Sequence, residues 1–481
     1  MQPFLVPLLL HDGSLKSLTD GSGKTLLYAY DGDGRLHHLK EQDSGIILTE
    51  YRYTDAGRIR EIITANGIRT AYAYDEDGNI SRLTIGDGTE AGLLYDAFLL
   101  YDLNGNRTGK NGTRLGADGK QAAMAVSYRY DAMNRLTNEY RGGAGERYAY
   151  DLCGNRLLRE QYRGGSVDVT EGYRYNERNE LTERVRAGSL TRYRYDRNGS
   201  IISEEEEGRR SEYRYDLLNR QIYVRTPDGK EQENLYDGEG LRAGLVENGK
   251  KTTFLYHNGE ILAECDGESA PVRRYVSGLG LSHVQTADGA YHAYHQDEQG
   301  STAYITGQDH GIENHYQYDA FGNLLDRKEG IGNRILYTGQ QYDQETGQYY
   351  LRARYYNPVV GRFLQEDTYR GDGLNLYAYC ANNPVNYYDP SGHAQKYGTG
   401  QANELPDVKY TGDDPKIPPG EGWEWRGPEG KGGWYNSETG ESLRPDLEHE
   451  EPIGPHWDYI PYKKGPQYRV HPDGSVVPKK R

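Results

Sequence analysis

Through the first two-thirds of the chain, aromatic and polar positions alternate in a recurring phrase: tyrosine, any residue, tyrosine, aspartate, a turn, then an apolar residue. It occurs as Tyr28-Ala29-Tyr30-Asp31, Tyr72-Ala73-Tyr74-Asp75, Tyr128-Arg129-Tyr130-Asp131, Tyr148-Ala149-Tyr150-Asp151, Tyr193-Arg194-Tyr195-Asp196, Tyr213-Arg214-Tyr215-Asp216 and Tyr316-Gln317-Tyr318-Asp319. Weaker copies stand at Tyr51-Arg52-Tyr53, Tyr173-Arg174-Tyr175, Tyr101-Asp102 and Tyr236-Asp237. From Tyr130 to Tyr236 the period is about 20 residues, within the range of repeat architectures. Side chains alternate along a strand, so both rings of a pair share one face and the residue between them faces the other way. The aspartate opens a turn rich in Asp, Asn and Gly, such as Asp196-Arg197-Asn198-Gly199, which supplies side-chain caps and left-handed positions. A short second strand follows, as in Arg135-Leu136-Thr137-Asn138-Glu139. Each repeat reads as a β-hairpin that must pair with its neighbours to bury its rings. The predicted fold is mainly β, and chemistry is to be sought where the period breaks.

Composition fits that picture. The 481 residues hold 46 Tyr but 5 Phe and 3 Met, so the apolar content sits largely on an aromatic with a polar tip. The 62 glycines serve the turns. A net charge of −16 argues against the whole chain being a nucleic-acid or membrane binder, although a local site for RNA stays open. Cys153, Cys265 and Cys380 are scattered and odd in number, implying neither a disulfide framework nor a metal cluster. No stretch is long and apolar enough to span a bilayer. Phe4–Leu10 lacks a basic leader and a small-residue cleavage site, so it reads as a strand and no signal peptide is visible.

From Leu336 the phrase gives way to Leu336-Tyr337-Thr338-Gly339-Gln340-Gln341-Tyr342-Asp343 and Thr346-Gly347-Gln348-Tyr349-Tyr350-Leu351-Arg352-Ala353-Arg354-Tyr355-Tyr356-Asn357-Pro358. Gly361-Arg362-Phe363-Leu364-Gln365-Glu366-Asp367 follows, then Asn382-Asn383-Pro384-Val385-Asn386-Tyr387-Tyr388-Asp389-Pro390-Ser391-Gly392-His393. This segment closely resembles the core of the RHS/YD-repeat family, and with the tyrosine array the resemblance covers residues 1–393. Tyr294–Thr302 resembles a family segment that precedes the core. The resemblance implies repeats (1–335) forming all or part of a hollow shell, and a core (336–393) that closes it. Because family shells are usually longer, this chain is expected to supply only the closing part.

The resemblance also implies that the core is an intramolecular aspartyl protease that cuts a C-terminal toxin free. The family pattern Pro-x4-Asp-Pro-x-Gly-Leu is met by Pro384, Asp389, Pro390 and Gly392, with His393 in place of Leu, and puts the cut at His393–Ala394. Asp389 matches the motif aspartate and Asp367 the upstream one, followed by Thr368 where Pro is usual; Arg362 belongs to the same motif. Such chemistry needs two carboxylates sharing a proton, one to activate water and one to protonate the peptide. Glu366 is a neighbouring carboxylate that competes for the upstream role. Read by residue type alone, Asp389-Pro390 is a turn and Asp367 a strand-end cap.

Beyond Gly392 the composition shifts. Residues 394–481 hold all four tryptophans and lack the repeat phrase; 394–419 read as a linker and 420–481 as a small separate β-rich or α+β domain whose core Trp must help supply. Tyr468–Val470 and Ser475–Val477 flank a Pro-Asp-Gly turn and read as a hairpin. The segment resembles a polymorphic-toxin C-terminal family, type 37, which implies a nuclease. A metal-free RNase needs a base, an acid and a cation for the developing phosphorane charge. His449 and His456 are the acid/base candidates, Arg426 or Arg444 the charge clamp. The alternative is a divalent-metal nuclease with His456, Asp458 and His449 or Asp446 as ligands; otherwise no cofactor is expected. The same histidines can equally be structural, and the tail's slightly acidic balance weighs against a nuclease.

The leading reading is an interbacterial RHS-type toxin, secreted or delivered into target cells. It implies a cognate immunity protein, a delivery machine and an RNA or DNA substrate as partners. The alternatives are a cell-surface adhesin whose exposed tyrosines stack on sugars, and a silent cassette.

Overall fold

The repeat phrases fold as strands joined by tight turns, with a register shift just before the second tyrosine, as between Arg129 and Tyr130. The computed structural model describes residues 6–10, 14–116, 118–268, 270–369, 374–397, 414, 416–418, 423–427, 432–436, 441–447, 455–460, 467–472 and 476–478. It comprises two compact units, one of residues 1–368 with 374–403 and one of 369–373 with 404–481. The described residues contain strands, turns and two short 3-10 turns, Tyr337–Gly339 and Cys380–Asn382.

In the first unit, thirty strands from Val6–Leu9 to Leu324–Glu329 form one sheet in which each strand pairs antiparallel with the next. The expected N-terminal strand is present as Val6–Leu9, paired with Leu15–Thr19; Phe4 and Leu5 lie outside the described residues. Within a phrase the first tyrosine is typically buried, as at Tyr51, Tyr128, Tyr148, Tyr173, Tyr193 and Tyr213. The residue between is exposed at Arg129, Arg174, Arg194 and Arg214. The second tyrosine reaches back to the preceding hairpin. Its hydroxyl donates to a backbone carbonyl there: Tyr53 to Leu36 (2.6 Å), Tyr74 to Ile59 (2.7 Å), Tyr150 to Leu136 (2.8 Å), Tyr215 to Ile201 (2.9 Å) and Tyr236 to Gln221 (2.7 Å). Each such bond contributes about 1 kcal/mol net and is repeated along the wall.

The aspartate explains the rest of the phrase. Asp131 Oδ1 accepts from the backbone N–H groups of Met133 and Arg135, both at 3.0 Å, while Oδ2 receives Arg135 Nε at 2.7 Å. The turn's fourth position takes a left-handed conformation, φ +80° at Gly34 and +59° at Asn134, hence Gly or Asn there. Arg135 then lies 5.0 Å from the ring of Tyr150 in the next repeat, as Arg35 does over Tyr53 and Arg220 over Tyr236. The rings of Tyr53, Tyr150 and Tyr236 are thus covered by an arginine of the preceding turn.

Late strands stack on early ones. Tyr304 Oη donates to the carbonyls of Leu94 and Leu115, and Arg274 Nε pairs with Asp20 at 2.7 Å. The core segment forms its own four-stranded sheet (Gln341–Asp343, Gln348–Leu351, Arg354–Asn357, Arg362–Phe363) with Tyr349, Tyr350, Tyr355 and Tyr356 fully buried. It is bolted to the wall by buried polar contacts: Arg242 with Asp343, Tyr377 Oη to the Gly199 carbonyl (2.9 Å), and Asn383 and Asn386 to Asn106 Oδ1 (3.0 and 2.9 Å). In the Tyr294–Thr302 segment, buried Glu298 meets Arg107 (3.1 Å), Lys110 (2.7 Å) and Tyr95 (2.7 Å).

In the second unit, six short strands (Trp423–Arg426, Gly433–Asn436, Ser442–Asp446, His456–Ile460, Tyr468–Val470, Val476–Pro478) pair antiparallel in chain order. Leu443, Trp457, Tyr459 and Val470 form its core, with Trp423 and Trp434 packed against them. The final hairpin pairs Val470 with Val476. The described part of this unit is therefore β.

Candidate functional site

The segment that holds the predicted cut sits in a hairpin. Tyr387–Tyr388 pairs antiparallel with Lys396–Tyr397, so residues 389–395 form the connecting loop and His393–Ala394 lies within it. After residue 393 the chain thus first pairs with the core, through Lys396–Tyr397. Gly392 takes φ +75°, and a Cβ there would collide with the Leu351 carbonyl and crowd the Arg354 and Ala353 nitrogens. Only glycine fits that corner.

Asp389 is buried at the loop's start. Its Oδ1 accepts from the N–H groups of Ser391 (3.0 Å) and Gly392 (2.8 Å) and from the Ser391 hydroxyl (3.3 Å). Burial pushes its carboxyl up from the ordinary range, against the opposing pull of Arg354 and those N–H groups, with the nearby Asp367 adding to the rise. Asp367 follows the Arg362–Phe363 strand and is buried as well. The two carboxylates meet on a single nitrogen: Arg354 Nη2 is 2.7 Å from Asp367 Oδ2 and 3.7 Å from Asp389 Oδ2. Arg354 also donates through Nε to the Gly392 carbonyl and through Nη1 to the Leu376 carbonyl (2.9 Å), and its guanidinium lies 3.5 Å from the Phe363 ring centroid. The second oxygen of Asp367, Oδ1, is 2.8 Å from His393 Nδ1.

The arrangement differs from a bare carboxylate pair, because a guanidinium stands between the two acids. Arg354 carries no local signature beyond Ala353-Arg354-Tyr355, and sequence reasoning did not select it. Its partners lie 13, 35 and 38 residues away, a relation visible only once the strands are in place. Glu366 turns away from the site to Arg178, at 2.9 Å. Arg362 serves the wall instead: it donates to the Asn179 carbonyl at 2.5 Å and lies over the rings of Tyr175 and Tyr377. Pro384 is buried and accepts a hydrogen bond from Gln299 Nε2, while Pro390 is half-buried in the loop.

In the second unit, strand register places Arg444, Asp458 and Arg469 opposite one another on the face away from the tryptophan core. Asp446 and His456 pair on the same face; His456 Nε2 is 3.6 Å from Asp458 Oδ1 and 3.7 Å from Asp446 Oδ2. The His471 ring lies 5.6 Å from that of His456. Arg426 is three strands from the His456 strand and stacks 3.9 Å over Tyr435, so Arg444, on the adjacent strand, is the arginine nearer that cluster in the sheet. His449 lies outside the described residues. Among the described residues no group of three or more His, Cys, Asp or Glu is arranged to hold a metal. No helix among them is long and apolar enough to cross a membrane.

The teneurin YD-shell family model matches residues 94–385, and the RHS repeat model matches residues 53–90. The tRNA3(Ser)-specific nuclease WapA of Bacillus spizizenii is 34% identical over 388 residues, covering 76% of this chain and 15% of that protein. The toxin protein Tse5 of Pseudomonas aeruginosa is 27% identical over 407 residues, covering 79% of this chain and 26% of Tse5. The chain thus spans only a fraction of the length of these relatives. Among solved structures, the Photorhabdus luminescens Tc holotoxin pore shares the fold with a TM-score of 0.63 at 18% identity, over 83% of this chain and 22% of that one. A TcdB2-TccC3 crystal structure gives 0.62 at 19%, over 81% and 22%.

Proposed function

The chain belongs to the teneurin YD-shell family, and on that premise we propose that it is the closing portion of an RHS-type toxin carrier that severs its own C-terminal cargo after His393. One observation carries this reading: where the tyrosine array ends, two buried carboxylates share one guanidinium, and the residue preceding the predicted cut touches one of them. Water adds to the His393 carbonyl carbon while Asp367, ion-paired with Arg354, takes the water's proton. Asp389, kept toward its protonated form by burial, gives its proton to the Ala394 nitrogen as the C–N bond breaks. The products are a His393 carboxyl and an Ala394 amine, and the proton held by Asp367 restores Asp389.

The freed piece is proposed as the effector, a nuclease acting on RNA or DNA. Two observations support this: the arginine-bearing face around His456, and relatives named as tRNA nucleases. Interbacterial use, a delivery machine and a cognate immunity protein belong to the same proposal. Intact-mass analysis of the purified chain tests the release step. A fragment ending at His393 in the wild type, absent in Asp367→Asn and Asp389→Asn, is expected; an uncut wild-type chain refutes it.

A further inference from the structure

A cavity of about 80 Å³ lies in the wall far from the cut, lined by residues of the strands Leu15–Thr19, Thr25–Tyr30, Pro271–Gly278 and their neighbours. Its surface is mostly apolar, with Leu18, Leu26, Tyr28, Leu262 and Val276 facing the space. Asp20, Lys24, Glu41, Arg274, Gln285 and Tyr291 bring polar groups to it. An apolar hollow with a few convergent polar side chains is the usual make-up of a small-molecule site.

The hydrogen bonds already made there select the chemistry of a ligand. Both acids are supplied with donors. Asp20 Oδ1 accepts from the Ser22 N–H (2.8 Å), the Ser22 hydroxyl (2.6 Å) and the Lys24 N–H (3.1 Å), and Oδ2 accepts from Arg274 Nε (2.7 Å). Glu41 Oε1 accepts from Tyr291 Oη (2.7 Å) and Oε2 from Ser44 Oγ (2.5 Å). Gln285 accepts from Lys24 Nζ (2.9 Å) and donates its amide to the Gly289 carbonyl (3.0 Å). The cations keep donors in reserve. Lys24 gives one ammonium proton to Gln285, with Glu41 3.8 Å away, and Arg274 gives Nε–H to Asp20, which leaves both Nη groups for a ligand. Spare donors, occupied acceptors and an apolar hollow fit an anion with an aliphatic tail. A cavity of about 150 Å³ holds one benzene, so about 80 Å³ takes a tail of about three carbons. The geometry points to a binding site for a short aliphatic carboxylate, its head on Lys24 and Arg274 and its tail against Leu18, Leu26 and Val276. Held by both cations, the ligand ties the first hairpins to the late strands. The site is independent of the release step.

Saturation-transfer NMR on the purified full chain tests the site, with butyrate, butylamine and acetate as probes. Butyrate is expected to bind saturably. Butylamine, of like length and opposite charge, is expected to give no saturable signal. Acetate is expected to bind about fifteenfold more weakly than butyrate, because two methylenes are no longer buried. Lys24→Gln and Arg274→Gln are each expected to weaken butyrate about tenfold, the loss of one charge-assisted hydrogen bond, and a thermal melt checks that each variant is folded. Butylamine binding as tightly as butyrate overturns the carboxylate preference. Acetate equal to butyrate overturns the apolar hollow as its seat. No butyrate binding up to about 20 mM overturns the site outright. So does undiminished butyrate affinity in both variants at the wild-type melting temperature; where a variant unfolds, the three probes on the wild type decide alone.

Discussion

Replacing Arg354 by methionine removes the cation on which the site is assembled while keeping an apolar stem against Phe363. Asp367 and Asp389 are then left buried without their shared counter-charge, a loss of about 3–5 kcal/mol for a broken buried pair. The Gly392 and Leu376 carbonyls lose their donor as well, at about 1 kcal/mol each. Part of this is recovered when a carboxylate takes up a proton. Asp389 is already raised by burial, and without Arg354 it rises further. A carboxyl whose folded pKa lies above its unfolded one destabilises the fold at higher pH, and that penalty falls as pH drops toward the unfolded value near 4. The variant is therefore expected to lie about 4 kcal/mol below wild type at pH 7, with a smaller gap at pH 5. Urea unfolding of intact chains at the two pH values, followed by tyrosine fluorescence, measures both gaps. A difference below about 1 kcal/mol at pH 7, or one that widens on acidification, would refute the placement of the two acids on this guanidinium.

Gly392→Ala is expected to abolish cleavage while leaving the wall folded, because φ +75° and the Leu351 carbonyl exclude a Cβ; intact mass and a thermal melt read the two effects. Acid should loosen the wall at His283 and His295, both buried and pushed down to about 3 by desolvation. Their contribution is full above pH 6.5 and lost as pH falls toward 3, at most about 5 kcal/mol each, so the double variant His283→Asn/His295→Gln should flatten the acid limb of stability against pH. His456→Ala in the released piece is expected to end growth arrest while its tryptophan emission stays native, since the ring faces Asp446 and Asp458 across the sheet.

The repeats were readable because each carries its own instructions. Two rings at spacing two set the face, Asp131 and its equivalents pin the turn, and Asn134 or Gly34 supplies the left-handed corner. The back-reaching hydroxyls of Tyr53 and Tyr150 were not readable, because they depend on stacking between hairpins. The same holds at the site. Asp367 and Asp389 were singled out through resemblance, but Arg354 acquires its role only when strand pairing brings segments 13 and 35 residues distant onto it. Arg362 belongs to the motif, yet its guanidinium is spent on the Asn179 carbonyl, the Tyr175 ring of the wall and the Tyr377 ring of the core. Residues 394–419 read as a linker because Lys396–Tyr397 is too short to signal a strand; Tyr387–Tyr388 supplies the partner with which that dipeptide pairs.

A cytoplasmic growth assay puts the division between wall and cargo to its most direct test, comparing bacteria that express residues 394–481, the full chain, or the full chain with Asp389→Asn. Arrest by the short piece and by the wild-type chain, with normal growth of the Asp389→Asn strain, is the predicted result. Normal growth with the short piece, or arrest by Asp389→Asn equal to wild type, would contradict it.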